Sequence, residues 1–103
     1  MDVLSIPPAG RDAYQEFIRS RDLSVGVYRL PVGAIDAQQP HHEDELYYVL
    51  SGRANFTSGD RTVDVQPGSC LFLPADEPHR FHDVIESLEL LVVFGPAEGS
   101  RSR

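Results

Sequence analysis

The chain is short of cysteine, of positive charge and of long apolar runs. One cysteine, Cys70, stands alone in 103 residues. It has no partner for an internal disulfide, which suits a reducing cytoplasm. In the apolar stretch SCLFLP it is expected to be a small buried residue. Lysine and arginine number 9 against 16 aspartates and glutamates, a net charge of -7. Such a surface repels phosphate backbones and anionic lipid, so neither nucleic acid nor membrane is an expected partner. No helix pair or basic patch for DNA binding is present. No apolar run approaches the ~20 residues of a membrane helix. The opening MDVLSIPPAG lacks the basic and apolar regions of a signal peptide, so a cytoplasmic location is expected. Internal repeats are absent.

What is present fits one globular domain: 41% hydrophobic and 24% charged residues. Residues 1–22 read as an arm punctuated by Pro7, Pro8 and Gly10. Within it, Arg11–Ser20 reads as one short helix, with Tyr14, Phe17 and Ile18 spaced to share a face. From Leu23 onward the signal is strands. Leu23–Pro31 alternates, ELYYVL (45–50) is aromatic and β-branched, and Ser51-Gly52 reads as a tight turn before a strand at Arg53–Thr57. TVDV, CLFL, the segment from His79 to Val84 and the apolar SLELLVVF follow, separated by Ser58-Gly59-Asp60, Gln66-Pro67-Gly68 and Asp76-Glu77-Pro78. Seven or more short strands with frequent turns indicate an all-β sandwich or barrel over 23–96, and 97–103 (AEGSRSR) read as a disordered tail.

The four histidines fall in two pairs, each beside carboxylates. In Gln39-Pro40-His41-His42-Glu43-Asp44-Glu45, strand parity puts Gln39, His41, Glu45 and Tyr47 on one side and His42 and Asp44 on the other. A bulge in HHED would bring His42 inward instead. The second cluster, Pro74-Ala75-Asp76-Glu77-Pro78-His79, delivers His79 to a strand start. Glu43 and His82 read as surface residues. Two imidazoles and a carboxylate are a donor set for a first-row divalent metal, with positions left open for substrate; the amide of Gln39 is a weaker fourth donor.

These clusters resemble the cupin family. Its first motif, G-x5-H-x-H-x3,4-E-x6-G, is similar to Gly33-x5-Gln39-x-His41-x3-Glu45-x6-Gly52, with glutamine in place of the first histidine. Its second, G-x5-P-x-G-x2-H-x3-N, is similar to Gly68-x5-Pro74-x-Asp76-x2-His79-x3-Asp83, with aspartate for the second glycine and for the asparagine. The resemblance implies a double-stranded β-helix (jelly-roll) barrel with a short N-terminal arm or helix. It implies one divalent ion (Fe, Mn, Ni or Zn) held by His41, Glu45 and His79, with Gln39 at the remaining ligand place. It implies a small-molecule ligand in the barrel, with Tyr47, Val49, Leu71, Leu73 and Phe81 as candidate walls; Tyr47, two residues beyond Glu45, is placed as a catalytic proton or hydrogen-bond donor, with His42 the alternative for proton transfer. The activities implied by analogy are those of dioxygenases, isomerases or decarboxylases, the alternative being a non-catalytic module that senses a metabolite or metal. A homodimer is also implied, in keeping with the small core and the apolar last strand.

Overall fold

A computed structural model describes residues 1–37 and 39–101. Six strands run in the order β1 (Tyr14–Arg19), β2 (Ser24–Leu30), β3 (Asp44–Ser58), β4 (Arg61–Val65), β5 (Cys70–Leu73) and β6 (His79–Gly95), and among the described residues there is no helix. All pairings are antiparallel. The sheet order is β1-β2-β6-β3-β4, with β5 on β3.

The frame is a long ribbon of β3 and β6. At one end Glu45 pairs with Phe94, at the other Ser58 pairs with His79. Three register shifts between Val49 and Asn55 bend the ribbon midway. β5 extends the first half of β3, and β4 extends the second. Folding the ribbon on itself turns alternate side chains inward, and Tyr47, Val49, Phe56, Phe81, Leu88, Leu90, Val92 and Phe94 form the core.

Ser51-Gly52 is therefore a bend within one strand and not a hairpin turn. Gly52 has φ +94°, and a Cβ there would lie 2.1 Å from the Ser87 carbonyl oxygen. A bend with close backbone approach needs glycine as a hairpin does, so the sequence signal is the same. β6 is likewise one strand where two short ones were expected.

Tyr14–Arg19 is a strand and not a helix. A bulge between Glu16 and Ile18 resets the side-chain alternation, so Tyr14, Phe17 and Ile18 are all half-buried at a spacing that imitates a helical face. The arm ahead of it is tied down: Arg29 donates to the Pro7 carbonyl (2.6 Å) and Gln15 to that of Pro8 (3.2 Å).

The segment after β6 is anchored, not a disordered tail, through Arg101; Ser102 and Arg103 lie outside the described residues. Ala97 is buried, and the Gly99 and Arg101 amides donate to Glu43 Oε1 (3.1 Å) and Oε2 (3.0 Å). Glu43 is thus buried rather than on the surface, because its carboxylate is the acceptor for a loop with no strand partner. Cys70 is exposed, against expectation: Leu71 and Leu73 take the inward positions of β5, which leaves Cys70 and Phe72 outside.

Gly52→Ala should lose at least about 3 kcal/mol through backbone clash and strain, whereas Gly59→Ala (φ +61°, no atom within 4 Å of a Cβ) should lose about 1 kcal/mol. Urea unfolding of the two variants checks the contrast.

Candidate functional site

β3 carries Glu45 and Tyr47 inward by strand parity, while Leu46 and Tyr48 face out. β6 begins at His79, after a loop locked to the segment before β3. In that lock the Asp76 amide donates to the His41 carbonyl (2.7 Å), the Ala75 amide to Asp44 Oδ1 (2.9 Å), and the His42 ring bonds Asp76 Oδ1 (2.6 Å). Asp76 (φ +68°) and Asp83 (φ +50°) stand where the family motif has glycine and asparagine. Aspartate is among the few residues that tolerate this left-handed backbone, so both departures keep the local geometry.

Folding the ribbon brings its two ends together. His79 Nε2 lies 3.2 Å from Glu45 Oε1, with both side chains 2% exposed. Tyr47 Oη is 3.0 Å from the same nitrogen and is also hydrogen-bonded to Glu45. The other ring nitrogen, Nδ1, donates to the Glu77 carbonyl (2.8 Å). Burial alone would lower the His79 pKa. The bonds to Glu45 and to the Glu77 carbonyl outweigh it, and the pKa is raised. The Tyr47 phenol is held well above its ordinary value, first by burial and then by the charge of Glu45. It is therefore a neutral hydrogen-bond donor to the pair, not a group that gives up its proton near neutrality.

His41 stands in the loop before β3, its ring 4.6 Å from that of Phe94 and its Nδ1 3.5 Å from Glu98 Oε2. Burial raises the Glu98 pKa, partly offset by His41. His42 is turned to Asp76 and is 38% exposed, so it does not enter the interior. Gln39 is exposed on the same loop. The structure therefore joins Glu45, His79 and Tyr47 directly, sets His41 beside Glu98, and leaves Gln39 and His42 outside.

Among the described residues, three buried polar side-chain atoms have no hydrogen-bond partner: Tyr14 Oη, His41 Nε2 and Glu45 Oε2. A buried carboxylate oxygen and a buried imidazole nitrogen left bare are costly, and both are metal-ligating atoms. The donor chemistry thus fits a divalent ion. The side chains are not assembled around one, since no group of three or more His, Cys, Asp or Glu among the described residues is arranged to hold an ion.

Of the expected pocket walls, Leu71 and Leu73 line a cavity of about 300 Å³, together with Phe56, Val63, Arg61 and Glu77. Tyr47, Val49 and Phe81 are packed core instead. Phe56, one of the cavity walls, has its ring 5.8 Å from that of His79.

Sequence reasoning missed Asp36, Tyr14 and Glu98. Asp36 accepts from Tyr28 Oη (2.7 Å) and the Phe81 amide (2.9 Å). Tyr14 lies over Gly26, where a Cβ would meet its ring at 2.3 Å. Gly26, directly opposite a residue of a neighbouring aromatic-bearing strand, was the one signal for it. Nothing in the sequence marked Glu98.

Unfolded, His79 titrates near 6.5, and folding raises that value, so the Glu45–His79 pair stabilises the metal-free protein most below about pH 6.5 and is lost as pH rises through the raised value. The melting-temperature gap between the metal-free chain and His79→Gln should be widest near pH 6 and narrow as pH rises above it. A gap that widens with pH would contradict this.

Comparison with known proteins agrees with this fold. The family model described as Cupin domain matches residues 26–94. An uncharacterised protein of Streptomyces coelicolor, SCO3923, is 46% identical over 99 residues, which cover 95% of this chain and 94% of that protein. Among solved structures, a double-stranded β-helix protein from Klebsiella pneumoniae superposes with TM-score 0.77 at 20% identity, covering 91% of this chain and 89% of the other. The DMSP lyase DddQ from Ruegeria pomeroyi gives TM-score 0.70 at 26% identity, but the 82% of this chain that aligns spans only 42% of the lyase. Fold, motifs and family model agree, and the chain belongs to the cupin family.

Proposed function

We propose that this cupin is a metal-dependent enzyme acting on a small organic molecule, with His41, Glu45 and His79 holding one divalent ion (Fe, Mn, Ni or Zn). What carries the reading is the pair of bare buried ligating atoms, His41 Nε2 and Glu45 Oε2, beside a histidine whose outward nitrogen is already tied to a carbonyl. A bound ion would supply Lewis acidity, or redox chemistry if it is iron. The chain's own groups bind and orient. The Glu77 carbonyl sets the His79 tautomer, and Tyr47 donates to the Glu45–His79 pair. Gln39 reaches the ion as a weak fourth donor only if its loop folds inward from its exposed position. The cavity of about 300 Å³ lined by Phe56, Leu71 and Leu73 suits a small substrate. The likeness to a lyase at 26% identity supports an enzyme of this general kind without naming the reaction.

One observation favours a non-catalytic sensing module instead: Glu45 and His79 are nearly sealed, each 2% exposed, so a substrate needs an opening to reach them. A small molecule that raises the melting temperature and is recovered unchanged would speak for that reading.

Protein purified without chelator should carry about one equivalent of metal per chain, and Glu45→Ala or His79→Ala should weaken binding more than about 100-fold. Elemental analysis and calorimetry measure this. Absence of stoichiometric metal, with no uptake of added iron, manganese, nickel or zinc, would sink the proposal.

A homodimer is part of the same reading. Leu46 (37%), Tyr48 (40%) and Phe72 (63%) are exposed on paired positions of β3 and β5, an apolar stripe that a second copy would cover. Light scattering should give twice the 11.5 kDa chain mass, and Phe72→Glu should give the monomer.

A further inference from the structure

We propose that Glu98 is a positioning residue for His41: its carboxylate accepts the ring's Nδ1 hydrogen and so leaves Nε2 bare and facing inward. The purpose of this arrangement rests on the metal reading above; its geometry does not. Glu98 lies outside residues 26–94, in the turn after β6. Its Oε2 is 3.5 Å from His41 Nδ1, at ion-pair distance and at the outer limit for a hydrogen bond.

Glu98 is held from several sides. Its amide donates to Ser24 Oγ (2.8 Å), and the serine is fully buried. Its carbonyl accepts from Arg19 (2.7 Å). One residue on, the Gly99 amide donates to the buried Glu43 carboxylate, as does that of Arg101. Two buried polar side chains and an arginine are thus committed to fixing this turn, and its side chain points at His41.

The two histidines then show one polarity. In His79 the outward Nδ1 donates to a carbonyl and Nε2 faces Glu45. In His41 the outward Nδ1 faces Glu98, and Nε2 is buried with no partner. The opposite tautomer of His41 would bury an N–H without an acceptor and leave a carboxylate facing a lone pair. A carboxylate behind a ligating histidine fixes its tautomer and its ring orientation, and loss of such a partner typically weakens metal binding 10- to 100-fold.

The test is the long-range ¹⁵N–¹H spectrum of the histidines in metal-free protein at about pH 8.5, two units above the ordinary histidine value. Wild-type His41 should show the Nδ1–H form. Glu98→Ala, which keeps the backbone bonds to Ser24 and Arg19, should move it to a mixture or to Nε2–H, with the His79 signals unmoved. Glu98→Leu, closer in volume, should do the same and replaces Glu98→Ala if that variant is unstable. Glu98→Gln keeps an acceptor oxygen and should restore the wild-type tautomer. Zinc or manganese affinity should fall about 10- to 100-fold in the apolar variants and recover in Glu98→Gln. An unchanged His41 tautomer in Glu98→Ala or Glu98→Leu overturns the proposal, as does a Glu98→Gln spectrum no better than theirs. If the tautomer responds as stated and wild-type protein binds neither metal, the positioning role stands and the metal reading falls.

Discussion

The contact between Glu45 and His79 is the constraint on which the rest of the molecule turns. The two residues sit at opposite ends of the β3–β6 ribbon, and only a ribbon folded on itself brings them to 3.2 Å. A carboxylate 2% exposed is costly unless it is paired and hydrogen-bonded. Closure of the barrel therefore depends on that pairing, and the pairing exists only in the closed barrel. Gly52, which permits the bend, and Tyr47, which donates to the pair, serve the same end.

Around this contact, acidic residues act as acceptors for backbone that no strand satisfies. Asp36 takes the Phe81 amide, Asp44 that of Ala75, and Glu43 those of Gly99 and Arg101. The net charge of -7 reads from composition as a repulsive surface, but part of it is invested in loops. The same carboxylates bring the segment before β3, the loop before β6 and the turn after β6 to one end of the barrel, where His41, Glu45 and His79 lie.

Much of this was legible in the sequence, for identifiable reasons. Strand parity put Glu45 and Tyr47 inward, because a period of two survives any bend that does not change register. The prolyl turn from Pro74 to Pro78 placed His79 at a strand start, where β6 begins. The strand at Tyr14–Arg19 was misread as part of a helix over Arg11–Ser20 because a bulge copies a helical period over so few residues. The turn at Ser51-Gly52 was misread because glycine marks tight bends of either kind. The roles of Glu43 and Glu98 were beyond reach, since each depends on a partner more than fifty residues away in sequence. Gln39 shows the limit of parity: expected on the side of Glu45, it is exposed, because parity holds once β3 begins at Asp44 and has no authority over the loop before it.

The two long strands have a consequence for how the molecule comes apart. β3 and β6 each run through both halves of the barrel, so neither half owns a complete set of hydrogen-bonded neighbours. A rupture at either end of the ribbon releases the carboxylate or the imidazole that holds the opposite end. The barrel therefore has no inner boundary along which it can open by stages, and its ladder should exchange amide hydrogens as one cooperative unit, with the β1 edge as the place where fraying starts.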